Sequence, residues 1–307
     1  MNLYAEGRVY ATLAQLLSLE GTCRQLRLTP ERSLDSLLAG RRGSPQRGRG
    51  ADFETLRRYQ AGDDLRHLDW RASQRLGRPF VRTWREERDR PVQLLVDQRM
   101  DMYFGSQGSF KSTSAVELAA LCAWMACHDD DRIGGQVFGD TQRVCLAPQR
   151  GRRAVHALLA LLLRYNHRLS ATAPFTDDAQ RQLDRVLQQY LGTADQTFIL
   201  ISDFAGATSA TGQLLRQLAQ RNTLIALQVH DPMALSLPRQ GRALITQGTL
   251  QIAIDATRAS VHRTLADFAG ARMQGVAQLL RDSGMRVVHL DCAQPLLAQL
   301  LRQQPQR

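Results

Sequence analysis

The pattern of apolar and polar positions changes character near residue 91. Before it, 9–39 carries apolar residues at helical spacing, among them Val9, Leu13, Leu16 and Leu17, and predicts helix. Thr29, Pro30 and Glu31 read as a second helix start, with Thr as cap and Pro in the first turn. The stretch GRRGSPQRGRG, 40–50, has the composition of a loop. From 91 onward strands and helices alternate. PVQLLVD (91–97) and QTFILISD (196–203) predict short buried strands, and STSAVELAALCAWMAC (112–127) a helix with Ala115, Leu118, Ala119, Cys122 and Ala126 on one face. RIGGQVFG and TQRVCLA predict two strands joined by a turn at Gly139 and Asp140. Helices follow over 152–167 and 177–192, then a helix at 209–220, a strand in TLIALQVHD, a hairpin around LITQGTLQIAID, a long helix near 258–282, the strand RVVHLD and a terminal helix.

Apolar strands without period-two alternation, separated by helices, predict a mostly parallel α/β sheet covered on both faces. Ligands of such sheets bind beyond the carboxyl ends of the strands. Asp97, Asp203, Asp231 and Asp291 all stand at predicted strand ends, where each either serves a site or caps the next helix. The change of pattern divides the chain into 1–90, N-terminal helices and a Gly/Arg/Asp-rich block, and 91–307, the sheet domain.

Composition adjusts this picture in three places. With 307 residues, 43% of them hydrophobic, the chain can bury a large core. No segment reaches the ~20 uninterrupted apolar residues of a membrane span, and the start lacks the features of a signal peptide, so the expectation is a cytoplasmic protein with no membrane span. The formal charge is +11, and of 40 basic residues only Lys111 is lysine. Residues 41–90 hold 14 Arg against 8 Asp and Glu, hence +6 of that charge. Interleaved acids and the lack of an aromatic-basic stripe argue against nucleic acid as the partner, although a basic nucleic-acid-binding module stays a rival. The five cysteines form no CxxC pair and are expected to be reduced. Cys122, Cys127 and His128 are too poorly spaced on a helix to hold zinc.

Two blocks carry a resemblance. The first, RGRGADFETLRRYQAGDDLRHLDWRASQRLGRPFVRTWREERDRPV, spans 47–92. The second is the strand and loop LLVDQRMDMYFGS followed by Lys111 and the Ala-rich helix. Together they resemble the family called domain of unknown function 58. The resemblance implies a von Willebrand factor A-like domain, encoded beside a MoxR-type AAA+ ATPase, with a metal-ion-dependent adhesion site. In such a site an Asp-x-Ser-x-Ser loop, a later Thr and a later Asp hold Mg²⁺ through oxygen ligands.

Here the loop reads Asp97-Gln98-Arg99-Met100-Asp101, so Asp97 matches the first aspartate while Arg99 and Asp101 replace both serines. Asp203 fits the later aspartate, and the loop APQRGRR offers no threonine. A guanidinium beside Asp97 repels a divalent ion by on the order of a few kcal/mol at an effective dielectric near 20. It can also take the ion's place, and the expectation is that Arg99 bridges Asp97 and Asp203. In the alternative, Arg99 turns outward and Asp97, Asp101 and Asp203 hold Mg²⁺.

The acidic box AGDDLRHLDW (61–70) has two readings. Asp63, Asp64 and Asp69 with His67 could serve a metal-dependent hydrolase, which needs carboxylates converging on two ions about 4 Å apart. The preferred expectation is an ion-pair network with Arg58, Arg66 and Arg71 that ties the block to the sheet, with Trp70 and Phe53 as core anchors. The Gly-rich 40–50 lacks the Gly-Lys-Ser/Thr of a phosphate loop. The expected function is a non-enzymatic protein-interaction adaptor without a cofactor, partner to a MoxR-type ATPase or its client. Its partner-binding residues would be Asp97, Arg99, Asp101 and Asp203.

Overall fold

The computed structural model describes residues 9–27, 52–60, 63, 64, 66, 68–85, 91–173, 179, 181–232, 242–247, 250–255 and 259–302. The expected helix start at 29–31, the loop 40–50 and His67 lie outside them, as does the side chain of Phe53. The chain divides into two compact units, Arg42–Asp89 and the remainder, Met1–Arg41 with Arg90–Arg307. This differs from a division at residue 90, because the N-terminal helix goes with the sheet.

The larger unit contains α1 (Leu13–Arg27), then β3 (Val92–Asp97), α3 (Lys111–His128), β4 (Ile133–Phe138), β5 (Arg143–Gln149), α4 (Arg152–Asn166) and α5 (Gln182–Gln189). There follow β6 (Thr197–Ser202), α6 (Ser209–Ala219), β7 (Thr223–His230), β8 (Arg242–Gln247), β9 (Leu250–Asp255), α7 (Ala259–Asp282), β10 (Arg286–Asp291) and α8 (Leu296–Arg302). The smaller unit holds β1 (Asp52–Arg58), α2 (Trp70–Leu76) and β2 (Phe80–Arg85), with β1 and β2 an antiparallel pair. The sequence pattern did not predict this hairpin.

Six strands form the main sheet in the order β10-β7-β6-β3-β4-β5, and β5 alone runs antiparallel. The chain is thus a mixed α/β protein built on a mostly parallel sheet flanked by helices, and the predicted strands appear within a residue or two of their expected bounds. β8 and β9 pair separately as the predicted hairpin.

Side-chain alternation sorts the core into two layers. Val92, Leu94 and Val96 of β3 join one cluster with residues of α1, α3, α4 and α8, while Leu95 joins the other with α5, α6 and α7. Asp97, in the same parity as Leu95, is thereby aimed at the α5–α6 side. α1 is fixed to the first layer by polar bonds as well as by Leu16 and Cys23. The Trp124 Nε1–H donates to the Leu16 carbonyl (2.9 Å), the Thr113 hydroxyl to the Val9 carbonyl (2.6 Å), and the Ala11 N–H to Asn166 Oδ1 (2.9 Å).

Glu117 is the one acid inside α3 and, among the described residues, has no hydrogen-bond or ion-pair partner. Burial raises its carboxyl from 4.5 to about 7. The folded protein therefore holds this proton longer than the unfolded chain, and stability falls as pH rises from about 4.5 to 7. Glu117→Gln should stabilise the protein at pH 8 by on the order of 2 kcal/mol and change little at pH 5. Thermal melts at the two pH values check this, and an equal effect at both would contradict it.

Candidate functional site

The carboxyl end of β3 carries the side chains that sequence reasoning singled out. Asp97 and Arg99 are both fully buried. The guanidinium lies flat against the carboxylate: Nε donates to Oδ1 (3.0 Å) and Oδ2 (3.1 Å), and Nη2 donates to Oδ2 (2.6 Å). The remaining donors meet backbone carbonyls, Nη1 that of Ala179 (3.1 Å) and Nη2 that of Ala205 (3.2 Å). Phe138 packs against the same group, 5.9 Å from ring centre to the guanidinium carbon. Although burial alone would lower its pKa, the Asp97 carboxylate raises it, so Arg99 stays charged.

Asp97 is saturated from its own side. Its Oδ1 also accepts the Arg99 N–H (3.0 Å), and its Oδ2 accepts the Ser202 hydroxyl (2.6 Å). Ser202 arrives there because it shares strand parity with Phe198 and Leu200 on the neighbouring β6. Its oxygen in turn accepts the Phe204 N–H (2.8 Å). Phe204 is a buried non-glycine residue at φ 56°, followed by Gly206 at φ 77°. A left-handed conformation at such a residue costs on the order of 1–2 kcal/mol. It bends the chain after β6 so that the Ala205 carbonyl faces the guanidinium.

Asp203 departs from expectation. Arg99 does not bridge it to Asp97; Lys111, at the first turn of α3, pairs with it instead, Nζ to Oδ2 at 2.5 Å, with both side chains 13% exposed. Its Oδ1 accepts the Ala205 N–H (2.8 Å). Burial would raise the Asp203 carboxyl, but Lys111 and Arg99 outweigh it and hold the group below the ordinary carboxylate range. The Arg99 donors that Asp97 leaves over are taken by the Ala179 and Ala205 carbonyls, and the second cation, Lys111, serves the second aspartate. Lys111 is the chain's sole lysine, and that rarity was the available signal for it.

Two further carboxylates complete the strand-end face. Asp101 is half-buried, and among the described residues no side chain or N–H bonds its carboxylate. Burial and then the charge of Asp203 raise its pKa. Asp140, in the β4–β5 turn, accepts the Met100 N–H (3.0 Å) and is likewise raised, first by burial. Four carboxylates thus surround two cations.

This chemistry does not fit a divalent ion. The lone pairs that Asp97 would offer are directed at Arg99, Ser202 and backbone, and those of Asp203 at Lys111 and backbone. Among the described residues no three His, Cys, Asp or Glu side chains converge as metal ligands. The other strand-end aspartates are occupied structurally. Asp231 accepts from the Ser106 N–H (2.7 Å) and hydroxyl (2.6 Å), anchoring the loop after β3, and Asp291 accepts the Ala293 N–H (2.8 Å) ahead of α8.

The acidic box resolves differently from the expected network. Asp63 is held bidentately by Arg57, at 2.7 and 2.5 Å. Asp64 accepts the Arg66 N–H (3.0 Å), and Asp69 caps α2 through the Ala72 N–H (3.0 Å). Arg58, Arg66 and Arg71 are exposed and pair with no carboxylate among the described residues. Trp70, expected as a core anchor, is 67% exposed. Ala72 holds the buried face of α2, and Trp70, two residues earlier, lies about 160° round the helix from it.

Comparison with known proteins yields a family and distant likenesses. The family described as "Protein of unknown function DUF58" matches residues 55–273. Uncharacterized proteins of Mycobacterium bovis and Mycobacterium tuberculosis are 27% identical over 290 residues, covering 92% of this chain and 88% of theirs. Among solved structures, a conserved hypothetical protein BatB from Bacteroides thetaiotaomicron aligns with 64% of this chain and 98% of its own at 13% identity and TM-score 0.34. An aerotolerance-related membrane protein from Bacteroides fragilis aligns with 62% and 98% at 12% identity and TM-score 0.33. At these scores neither likeness bears on the site.

Proposed function

This chain belongs to the DUF58 family, and from that premise we infer that it is a protein-interaction adaptor whose von Willebrand factor A-like domain docks its partner without a metal ion and without catalysis. The observation that carries this reading is the wholly buried Arg99 seated on Asp97, where an adhesion site would hold Mg²⁺. In a metal site the ion's free valence accepts a partner's carboxylate. Here the cations are consumed internally, and the groups left with open acceptor capacity among the described residues are the Asp101 carboxylate and Asp140 Oδ2. The docking group that suits them is an arginine or lysine side chain of the partner. Among the described residues no helix is long and apolar enough to cross a membrane, and a cytoplasmic adaptor for a MoxR-type AAA+ ATPase, or for its client, is the role that agrees with the family resemblance.

Capture of such an ATPase by the immobilised chain tests this. Capture should survive chelator and weaken as salt rises. Asp101→Asn with Asp140→Asn should weaken it at least tenfold while thermal stability changes little. Capture unchanged in the double variant would place the docking face elsewhere, and capture abolished by chelator would return the metal reading.

A further inference from the structure

The compact unit Arg42–Asp89 carries a surface that no ion pair among the described residues uses. Successive residues of an α-helix lie 100° apart, so Trp70, Gln74, Arg71 and Arg75 fall within an arc of about 140° on α2. All four are exposed, and Ala72, outside that arc, is buried. Leu76 at the helix end is 50% exposed, and Arg78 follows in the solvent. Among the described residues no carboxylate pairs with Arg71, Arg75 or Arg78. Nearby acids are engaged elsewhere, Asp63 with Arg57 and Asp69 as the cap of α2.

A solvated arginine face needs no explanation, but a tryptophan held two-thirds in water does, as does a half-exposed leucine at the helix end, about 100° beyond Arg75. Such residues contribute binding energy when a partner covers them, and unpaired guanidinium groups set which partner that is. We propose that this arc, together with the helix end that carries Leu76 and Arg78, docks an acidic peptide segment of a partner protein that also presents apolar side chains. Carboxylates of the segment engage Arg71, Arg75 and Arg78, and its apolar side chains cover Trp70 and Leu76. A single-stranded nucleic acid would use the arginines and stack on Trp70, but it has no apolar group for Leu76. This surface belongs to the smaller unit and the strand-end carboxylates to the larger, and it takes a ligand of the opposite charge.

The test uses the full chain and a labelled flexible peptide of glutamates with two leucines, alongside a lysine–leucine peptide and an oligothymidine of equal length. The glutamate peptide should bind and shield tryptophan fluorescence from acrylamide, and the lysine peptide should not bind. Trp70→Ala, and separately Arg71→Glu with Arg75→Glu, should each weaken binding at least tenfold without shifting the melting temperature. Asp203→Ala should leave it intact, which separates this surface from the strand-end site. Binding that survives both surface variants overturns the proposal. So does oligothymidine binding more tightly than the peptide with the same losses, which would make the arc a nucleic-acid surface.

Discussion

Replacing Arg99 by alanine should lower the unfolding free energy by about 3–5 kcal/mol, the usual cost of leaving one partner of a buried ion pair alone. Asp97 would keep its charge buried at the carboxyl end of β3, with only the Ser202 hydroxyl and one N–H to meet it. The carbonyls of Ala179 and Ala205 would each lose a donor, and a cavity would open against Phe138. Restoring volume alone does not repair this, so Arg99→Met should remain strongly destabilised. Removing both charges should: Asp97→Leu with Arg99→Met is expected to cost much less than the sum of the single variants. Denaturant titration of the four proteins measures the coupling, and additive losses would contradict the pairing.

Gly135→Ala should be comparably severe, at about 3–5 kcal/mol, combining overpacking with backbone strain. Gly135 sits in β4 opposite Leu94 of β3, at φ 148°, and an added Cβ would lie 2.1 Å from the Leu94 carbonyl oxygen. β3 would have to move away from β4, and β3 is the strand that delivers Asp97. Gly192, where an added Cβ meets nothing within 4 Å, is the control and should tolerate alanine with little change. Melts of the two variants decide this; a Gly135→Ala protein within 1 kcal/mol of the parent would show that the strands can part easily.

These two positions show what the sequence made legible. The run LLVD announced a strand buried on both faces, and its neighbours ILIS and LIALQV did the same, because parallel strands under helices are apolar throughout. Glycines 134 and 135 read as part of a strand, but nothing in the pattern says that β4 comes close enough to β3 to require them. The pairing of Arg99 with Asp97 was legible because the two are close in the chain. That Asp203 takes Lys111 instead was not, since 92 residues separate them and only the packing of α3 under the sheet joins them. Ser202 could have been found from strand parity with Leu200. In the smaller unit, DFETLRR and FVRTWR hide strands because arginine, glutamate and threonine occupy positions where a core would write apolar residues. The exposure of Trp70 was illegible for a related reason: a tryptophan reads as core, and here the small Ala72 holds the buried face of α2 instead.

Calorimetric titration of the unmodified protein with Mg²⁺ and Mn²⁺ tests the central claim most directly. If Arg99 and Lys111 hold the places of the ion, neither metal should show saturable heat at millimolar concentrations, and Arg99→Ser, which removes the charge and returns an oxygen, should gain affinity. Submillimolar binding by the unmodified protein, lost in Asp97→Ala or Asp203→Ala, would contradict the account.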